Sequence, residues 1–164
     1  MDTISHGAWA YLLVHNNANR WSFLAGAVFP DIGLIGITIV SMLSGHLKIF
    51  SPWLLQLYYL PFPPKLDSAM HSLVLWTAAY AAVMLYNLRS AWWFINGIYL
   101  HLGIDILTHK HYLPKYLWPV SSFNVFGLID YRTMVFTIMD ILLLAGFSFL
   151  LYYYKKNRSK KITP

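Results

Sequence analysis

Four apolar segments limit what this chain can fold into: residues 22–43, 68–88, 90–109 and 133–154. Each is close to the length of about 20 residues with which a helix crosses a bilayer. Hydrophobic residues make up 58% of the chain and charged residues only 11%, far from the composition of a soluble domain. The expected fold is therefore an all-α integral membrane helical bundle with about four transmembrane helices.

Shorter elements complete the predicted bundle. Residues 4–17 predict a short N-terminal helix that cannot span a membrane, and the aromatic, proline-rich residues 44–66 and 110–130 predict interfacial segments. A short polar connection around Arg89 predicts that the second and third spans form an antiparallel hairpin. The length allows a single membrane-embedded domain, residues 1–164.

The basic tail, residues 155–164, predicts the orientation. It carries five Lys or Arg residues, and such clusters mark the cytoplasmic side of a membrane protein. The tail is typical of a segment that contacts anionic lipid headgroups, so we expect a membrane partner and no nucleic acid. The predicted location is thus a membrane, with the C-terminus in the cytoplasm.

The third apolar segment contains an unusual run of polar residues, His101, Asp105 and His109, spaced four residues apart. On a helix, side chains four residues apart are neighbours on one face, so each imidazole can share a metal ion with the central carboxylate. One ion cannot reach all three, but Asp105 can bridge two ions about 3.5 to 4 Å apart. This stretch predicts a metal site.

A histidine on an apolar helix is more often an ordinary core residue than a ligand. Three ionisable groups on one face of a membrane helix, however, are costly and indicate function. The chain contains no Cys and no Glu, so a bound metal must rely on His, Asp and water. Such donors suit zinc or a similar divalent metal, and we expect one to three ions.

Further ligands come from the other predicted helices. Heights estimated from a rise of about 1.5 Å per residue put six side chains into one slab roughly 13 Å thick, in the half of the membrane away from the cytoplasm. The predicted metal ligands are His6, Asp31, His71, His101, Asp105 and His109. Three other histidines fall outside the slab or on another helix face: His15, His46 and His111. Asp140 is predicted either to support a ligand or to cap a neighbouring helix.

These residues resemble a known family, the membrane-bound metal-dependent hydrolases typified by a bacterial inner-membrane protein of the DNA-damage regulon. The matching positions are His6, Pro30-Asp31, Met70-His71-Ser72, His101 to His109, Leu117-Trp118-Pro119 with Ser121, and Asp130-Tyr131. The chain departs from the family at Leu66-Asp67, where an Arg-bearing stretch is common, and at Met70, where the family has Thr. In ligand order the pattern is also similar to soluble zinc-dependent phospholipases C.

The resemblance implies a hydrolase in the inner membrane of a prokaryote. The predicted position of the site, in the outer half of the bilayer and lined by aromatic residues, indicates a lipid or lipid-linked phosphoester as the substrate. Asp31 and Asp105 are the predicted catalytic residues, with Asp31 serving as both ligand and base. Two alternatives remain open from the residues alone: a non-catalytic metal-binding or transport protein, and a haem-binding bundle. The two carboxylates argue against haem, and a transporter would be expected to carry ionisable groups in both halves of the membrane.

Overall fold

The computed structural model describes residues 1–43, 64–111 and 114–160. Across these residues the regular structure is all-helical, as expected. The helices are α1 (Thr3–Val14), α2 (Arg20–Val28), α3 (Ile32–Leu43), α4 (Pro64–Met70), α5 (Leu73–Leu85), α6 (Arg89–Thr108) and α7 (Met134–Lys160), with a 3₁₀ turn (Phe29–Asp31) between α2 and α3.

The prediction of about four transmembrane helices is wrong. Among the described residues, one helix is both long and apolar enough to cross a membrane: α7, over Met134–Asn157. Only 6% of its apolar window is buried inside the protein, so this helix presents nearly all of its surface outward. The structure thus offers one candidate span, at the C-terminal end of the chain.

Two of the other apolar segments are broken by local chemistry. Residues 22–43 do not form one helix, because Pro30 lacks the N–H that would continue α2 and the chain passes through the 3₁₀ turn. Residues 68–88 divide at His71 and Ser72, where Ser72 adopts an extended backbone and its side chain caps α5 by accepting from the Leu75 N–H. Helix α5 keeps only 13 residues, too few to span.

The third segment forms α6, whose 20 residues would be long enough to span. Polar side chains within it, among them Asn96, His101 and Asp105, lower its average apolarity below that of a span. It instead forms the centre of the protein, packing against α2 and α5 and burying seven of its residues. An apolar core helix and a spanning helix look alike in composition, which explains the wrong prediction.

Helices α2 and α6 cross at backbone contact. A Cβ atom at Gly26 would lie 1.8 Å from the carbonyl oxygen of Phe94, and one at Gly97 would lie 2.0 Å from that of Phe23. No side chain fits at either distance, so only glycine permits this crossing. Two small apolar clusters flank it, one around Phe23 and the other around Tyr116.

The predictions for the shorter segments and the basic tail can be compared with the structure only where these residues are described. The short N-terminal helix is present as α1, and Asp2 caps it by accepting from the Ser5 N–H. Of the predicted interfacial segment 44–66, residues 44–63 lie outside the described residues, as does His46, and residues 64–66 begin α4. The basic tail is described as far as Lys160, where α7 ends.

Candidate metal centre

The six predicted ligands lie together, delivered by four parts of the chain. His6 comes from the first turn of α1, Asp31 from the 3₁₀ turn, His71 from the end of α4, and the others from α6. Because Pro30 ends α2 just before Asp31, the break that prevents a membrane span also places this carboxylate beside α6. His109 lies just beyond the last turn of α6, as its C-terminal cap.

Asp105 is the centre of the cluster, and its two oxygens face different imidazoles. Oδ1 lies 2.8 Å from Nε2 of His6 and 3.1 Å from Nδ1 of His109. Oδ2 lies 2.9 Å from Nε2 of His101 and 3.8 Å from Nε2 of His71. The α-amino group of Met1 also donates to Oδ1, at 3.0 Å.

Asp31 faces the same two imidazoles from the other side. Its Oδ1 lies 3.7 Å from Nε2 of His101 and 3.8 Å from Nε2 of His71. Its Oδ2 accepts a hydrogen bond from Oγ1 of Thr3 at 2.6 Å. The Asp31 side chain is 15% exposed, whereas that of Asp105 is 2% exposed, so the cluster opens to its surroundings on the Asp31 side.

Backbone carbonyls fix which nitrogen of two imidazoles carries hydrogen. Nδ1 of His101 lies 2.8 Å from the carbonyl oxygen of Ala27, and Nδ1 of His71 lies 3.1 Å from that of Asp67. A carbonyl can only accept, so both Nδ1 atoms are donors. In the neutral rings the Nε2 atoms then carry lone pairs, and these are the atoms that face Asp31 and Asp105.

Two groups of three side chains offer ligand atoms within 4.8 Å of one another: His6, Asp31 and His101, and His71, His101 and Asp105. Because His101 has committed Nδ1 to Ala27, only its Nε2 is available. The two groups are therefore alternative sets of ligands for one ion rather than two independent metal sites. His109 belongs to neither group and instead contacts Asp105 through Nδ1.

The electrostatics keep Asp105 charged. Burial raises the pKa of this carboxyl group, but the imidazoles of His101, His109 and His6 more than offset that effect and hold it well below its usual range. Burial lowers the pKa of His6 and favours its neutral form. Burial also acts to lower the pKa of His71, but its bond to Asp67 and the surrounding carboxylates raise it above the ordinary value. An ionised carboxylate beside a neutral imidazole is a donor set suited to a divalent metal.

Several contributing residues were missed from the sequence. Thr3 holds Asp31 through a hydrogen bond, and the carbonyl of Asp67 orients the ring of His71. Asp67 lies four residues before His71, and this helical spacing was the available signal. The carbonyl of Ala27 had no signal, because only the α2–α6 crossing brings it to His101.

The sequence predicts that Asp140 either supports a ligand or caps a neighbouring helix, and its contacts in the structure favour the supporting role. Its carboxylate accepts from Oγ of Ser5 at 2.6 Å and from Nε1 of Trp9 at 2.8 Å. Both donors belong to α1, and Ser5 directly precedes His6. Asp140 thus fastens α7 to the helix that carries one of the candidate ligands.

No protein-family model matches the chain, and comparisons with curated proteins and with solved structures find no significant match. The chemistry of the site therefore carries the functional proposal.

Proposed function

We propose that this protein is a membrane-anchored metal-dependent hydrolase that binds zinc and acts on a lipid or lipid-linked phosphoester. The ion is assigned to His71, His101 and Asp105, with Asp31 facing the same imidazoles from the open side. The resemblance to membrane-bound metal-dependent hydrolases supports the same reaction class. The metal assignment itself depends on one observation about His101.

That observation is the position of the His101 Nε2 lone pair between two carboxylates. Nδ1 carries the hydrogen, so the neutral ring turns an acceptor toward Oδ2 of Asp105, at 2.9 Å, and Oδ1 of Asp31, at 3.7 Å. Among the described residues, Nε2 of His101 forms no hydrogen bond, although it is buried. Three acceptors converging on one buried point are stabilised by a cation between them.

The spacing of these acceptors supports zinc. Zinc bonds to nitrogen and oxygen are about 2.0 to 2.1 Å long, so the ligand atoms of a tetrahedral site lie about 3.3 Å apart. The four distances from Nε2 of His71 and His101 to the oxygens of Asp31 and Asp105 run from 2.9 to 3.8 Å. Shifts of a few tenths of an ångström would bring them to that value.

Different exposure gives the two carboxylates different roles. Asp105 is buried and surrounded by imidazoles, which suits a permanent ligand. Asp31 lies at the opening, where it can contact both the ion and an incoming water, and Thr3 holds its second oxygen in place. A zinc ion held by His71, His101 and Asp105 would lower the pKa of a bound water to about 7, and Asp31 is positioned to accept the proton that this water releases.

Helix α7 supports a membrane location. Its apolar side chains project outward, as shown by exposures of 59% for Ile141, 65% for Leu142 and 64% for Phe149. An apolar surface of this size is typical of a site that contacts lipid or another protein rather than water. Lys155 and Lys156 follow the apolar part, as expected for the cytoplasmic end of a span.

The candidate metal centre lies near the N-terminal end of α7, at the opposite end of this helix from Lys155 and Lys156. The backbone N–H of Gly127 donates to the carbonyl of His109, and that of Tyr131 donates to the carbonyl of Thr108. These bonds fasten the end of α6 to the segment that leads directly into Met134, where α7 begins. With the tail in the cytoplasm, as we propose, the centre would lie near the opposite surface of the membrane, where lipid headgroups are available.

The proposal is tested with purified protein in detergent micelles that contain either a lipid phosphoester or a matched lipid carboxylic ester. Cleavage of the phosphoester is expected, with loss on chelation, recovery on adding zinc, and absence in Asp105→Asn. The variant Asp140→Asn, whose carboxylate accepts from Ser5 and Trp9 rather than facing the imidazoles, serves as the control and should retain most of its activity. Full zinc binding without cleavage of either lipid would contradict the hydrolase and favour a non-catalytic metal-binding protein.

A further inference from the structure

Tyr116 carries a buried hydroxyl group that forms no hydrogen bond within the described part of the chain. Its side chain is 1% exposed and is the largest of the fully buried side chains in the described part of the protein. Among the described residues, nothing forms a hydrogen bond with its Oη. A buried polar atom left unpaired is destabilising, so native proteins rarely contain one unless a ligand or water completes it.

Packing contacts place the side chain of Tyr116 between two elements that supply candidate metal ligands. The ring packs against Ile98 and Leu102, on the buried face of α6 that also carries Asp105. The carbonyl of Tyr116 accepts from the N–H of Leu73, which lies two residues after His71. Tyr116 is thus held between the two elements that supply His71 and Asp105.

The surroundings of the phenol determine its protonation. Burial raises the pKa of Tyr116, and the negative charges of Asp105 and Asp67 raise it further. The group therefore remains a neutral O–H at any physiological pH. Among residues 1–43, 64–111 and 114–160 no group accepts from this O–H, so the donor is available to a bound ligand.

The strongest partner for such a donor is an anionic oxygen. A phosphoester has anionic non-bridging oxygens before reaction begins, whereas a carboxylic ester develops one only in its transition state. We propose that Tyr116 donates a hydrogen bond to a non-bridging phosphoryl oxygen of a substrate bound at the metal centre. This inference rests on the proposed function and names a residue that would bind the phosphoryl group of its substrate.

Binding of inorganic phosphate to the zinc-loaded protein provides the test, measured by titration calorimetry. Tyr116→Phe removes one oxygen and keeps the ring. We expect phosphate to bind about tenfold or more weakly to this variant, as for loss of a hydrogen bond to a charged group. Zinc content should be unchanged, and the melting temperature of the metal-free variant should equal or exceed that of the unmutated protein, because an unpaired hydroxyl has been removed.

Tyr99→Phe is the matched control. The hydroxyl of Tyr99 pairs with that of Thr77, at 3.0 Å on an exposed surface. Its loss should leave phosphate affinity unchanged. If Tyr116→Phe is poorly folded, fluorotyrosine placed at position 116 of the otherwise unmutated chain gives a second readout, and its fluorine resonance should shift when phosphate is added.

The possible outcomes separate the two proposals. Equal phosphate affinity in Tyr116→Phe and the unmutated protein, or a fluorine resonance that phosphate does not move, would overturn the role of Tyr116 and leave the metal centre intact. Zinc binding without any phosphate binding would overturn the phosphoryl assignment. Failure of the unmutated protein to bind zinc would overturn the proposed function itself.

Discussion

Nε2 of His101 lies 2.9 Å from Oδ2 of Asp105, one helical turn further along α6. The carbonyl of Ala27 on α2 holds the other nitrogen of the ring, so this contact depends on how α2 and α6 cross. The crossing in turn depends on glycine at two positions. Backbone packing thereby sets the orientation of a ligand in the centre of the protein.

Replacing Gly97 tests this link between packing and the site. Gly97→Ala would place a Cβ 2.0 Å from the carbonyl oxygen of Phe23, so the helices must separate and carry Ala27 away from His101. We expect a loss of about 1 to 3 kcal/mol in the free energy of unfolding, together with weaker zinc binding. Thermal melting and equilibrium dialysis measure the two effects.

Gly103 supplies the matched control on the same helix. A Cβ there meets nothing within 4 Å, and alanine is favoured over glycine in a helix by about 0.5 to 1 kcal/mol. Gly103→Ala should therefore melt at an equal or higher temperature and bind zinc normally. Similar melting of the two variants would show that the close crossing is not needed.

Asp31 is expected to be required for turnover rather than for folding. Asp31→Asn keeps the shape of the side chain but removes its charge and its ability to accept a proton, so hydrolysis of a lipid phosphoester should be abolished. The comparison is Asp140→Asn, whose contacts go to Ser5 and Trp9 rather than to the centre. That variant should lose about 1 kcal/mol of stability and retain most of its activity. An active Asp31→Asn beside an inactive Asp140→Asn would reverse the roles assigned here.

The shared helix face of His101, Asp105 and His109 could be anticipated, because the spacing of side chains along a helix is set by backbone geometry. The heights estimated for the other three ligands assumed uninterrupted spanning helices, which the structure does not have. Asp31 could be singled out because it is a carboxylate that directly follows Pro30, which interrupts an apolar segment. The residues that orient the ligands were not predictable in the same way. Thr and Asp are residue types that commonly cap helices. Only tertiary contacts show that Thr3 and Asp67 orient ligands instead.

The predicted number of transmembrane helices was wrong for a related reason. Apolar composition does not distinguish a helix surrounded by lipid from one surrounded by protein. Helix α6 contacts α2 and α5, whereas α7 contacts little beyond α1. Two features of the sequence indicate fewer transmembrane helices: the proline in the first apolar segment and the polar pair His71-Ser72 in the second. Each of them ends a helix before it reaches spanning length.

Cysteine labelling tests whether α7 crosses the membrane. The chain contains no cysteine, so Lys115→Cys and Lys155→Cys each introduce a single reactive thiol at an exposed position. In intact cells a membrane-impermeant maleimide should label position 115, and it should label position 155 only after permeabilisation. Equal labelling of both positions in intact cells would show that α7 is not a span, and reversed labelling would place the centre at the cytoplasmic surface.

The most direct test of the central claim is the zinc content of the purified protein, measured after dialysis together with the X-ray absorption spectrum of the bound metal. We predict about one ion per chain, coordinated by nitrogen and oxygen at about 2.0 to 2.1 Å with at least two imidazoles. His101→Ala and Asp105→Asn should each lower the retained metal tenfold or more, because each removes a ligand. Retention of no metal by the unmutated protein, or full retention by both variants, would contradict a metal centre formed by these residues.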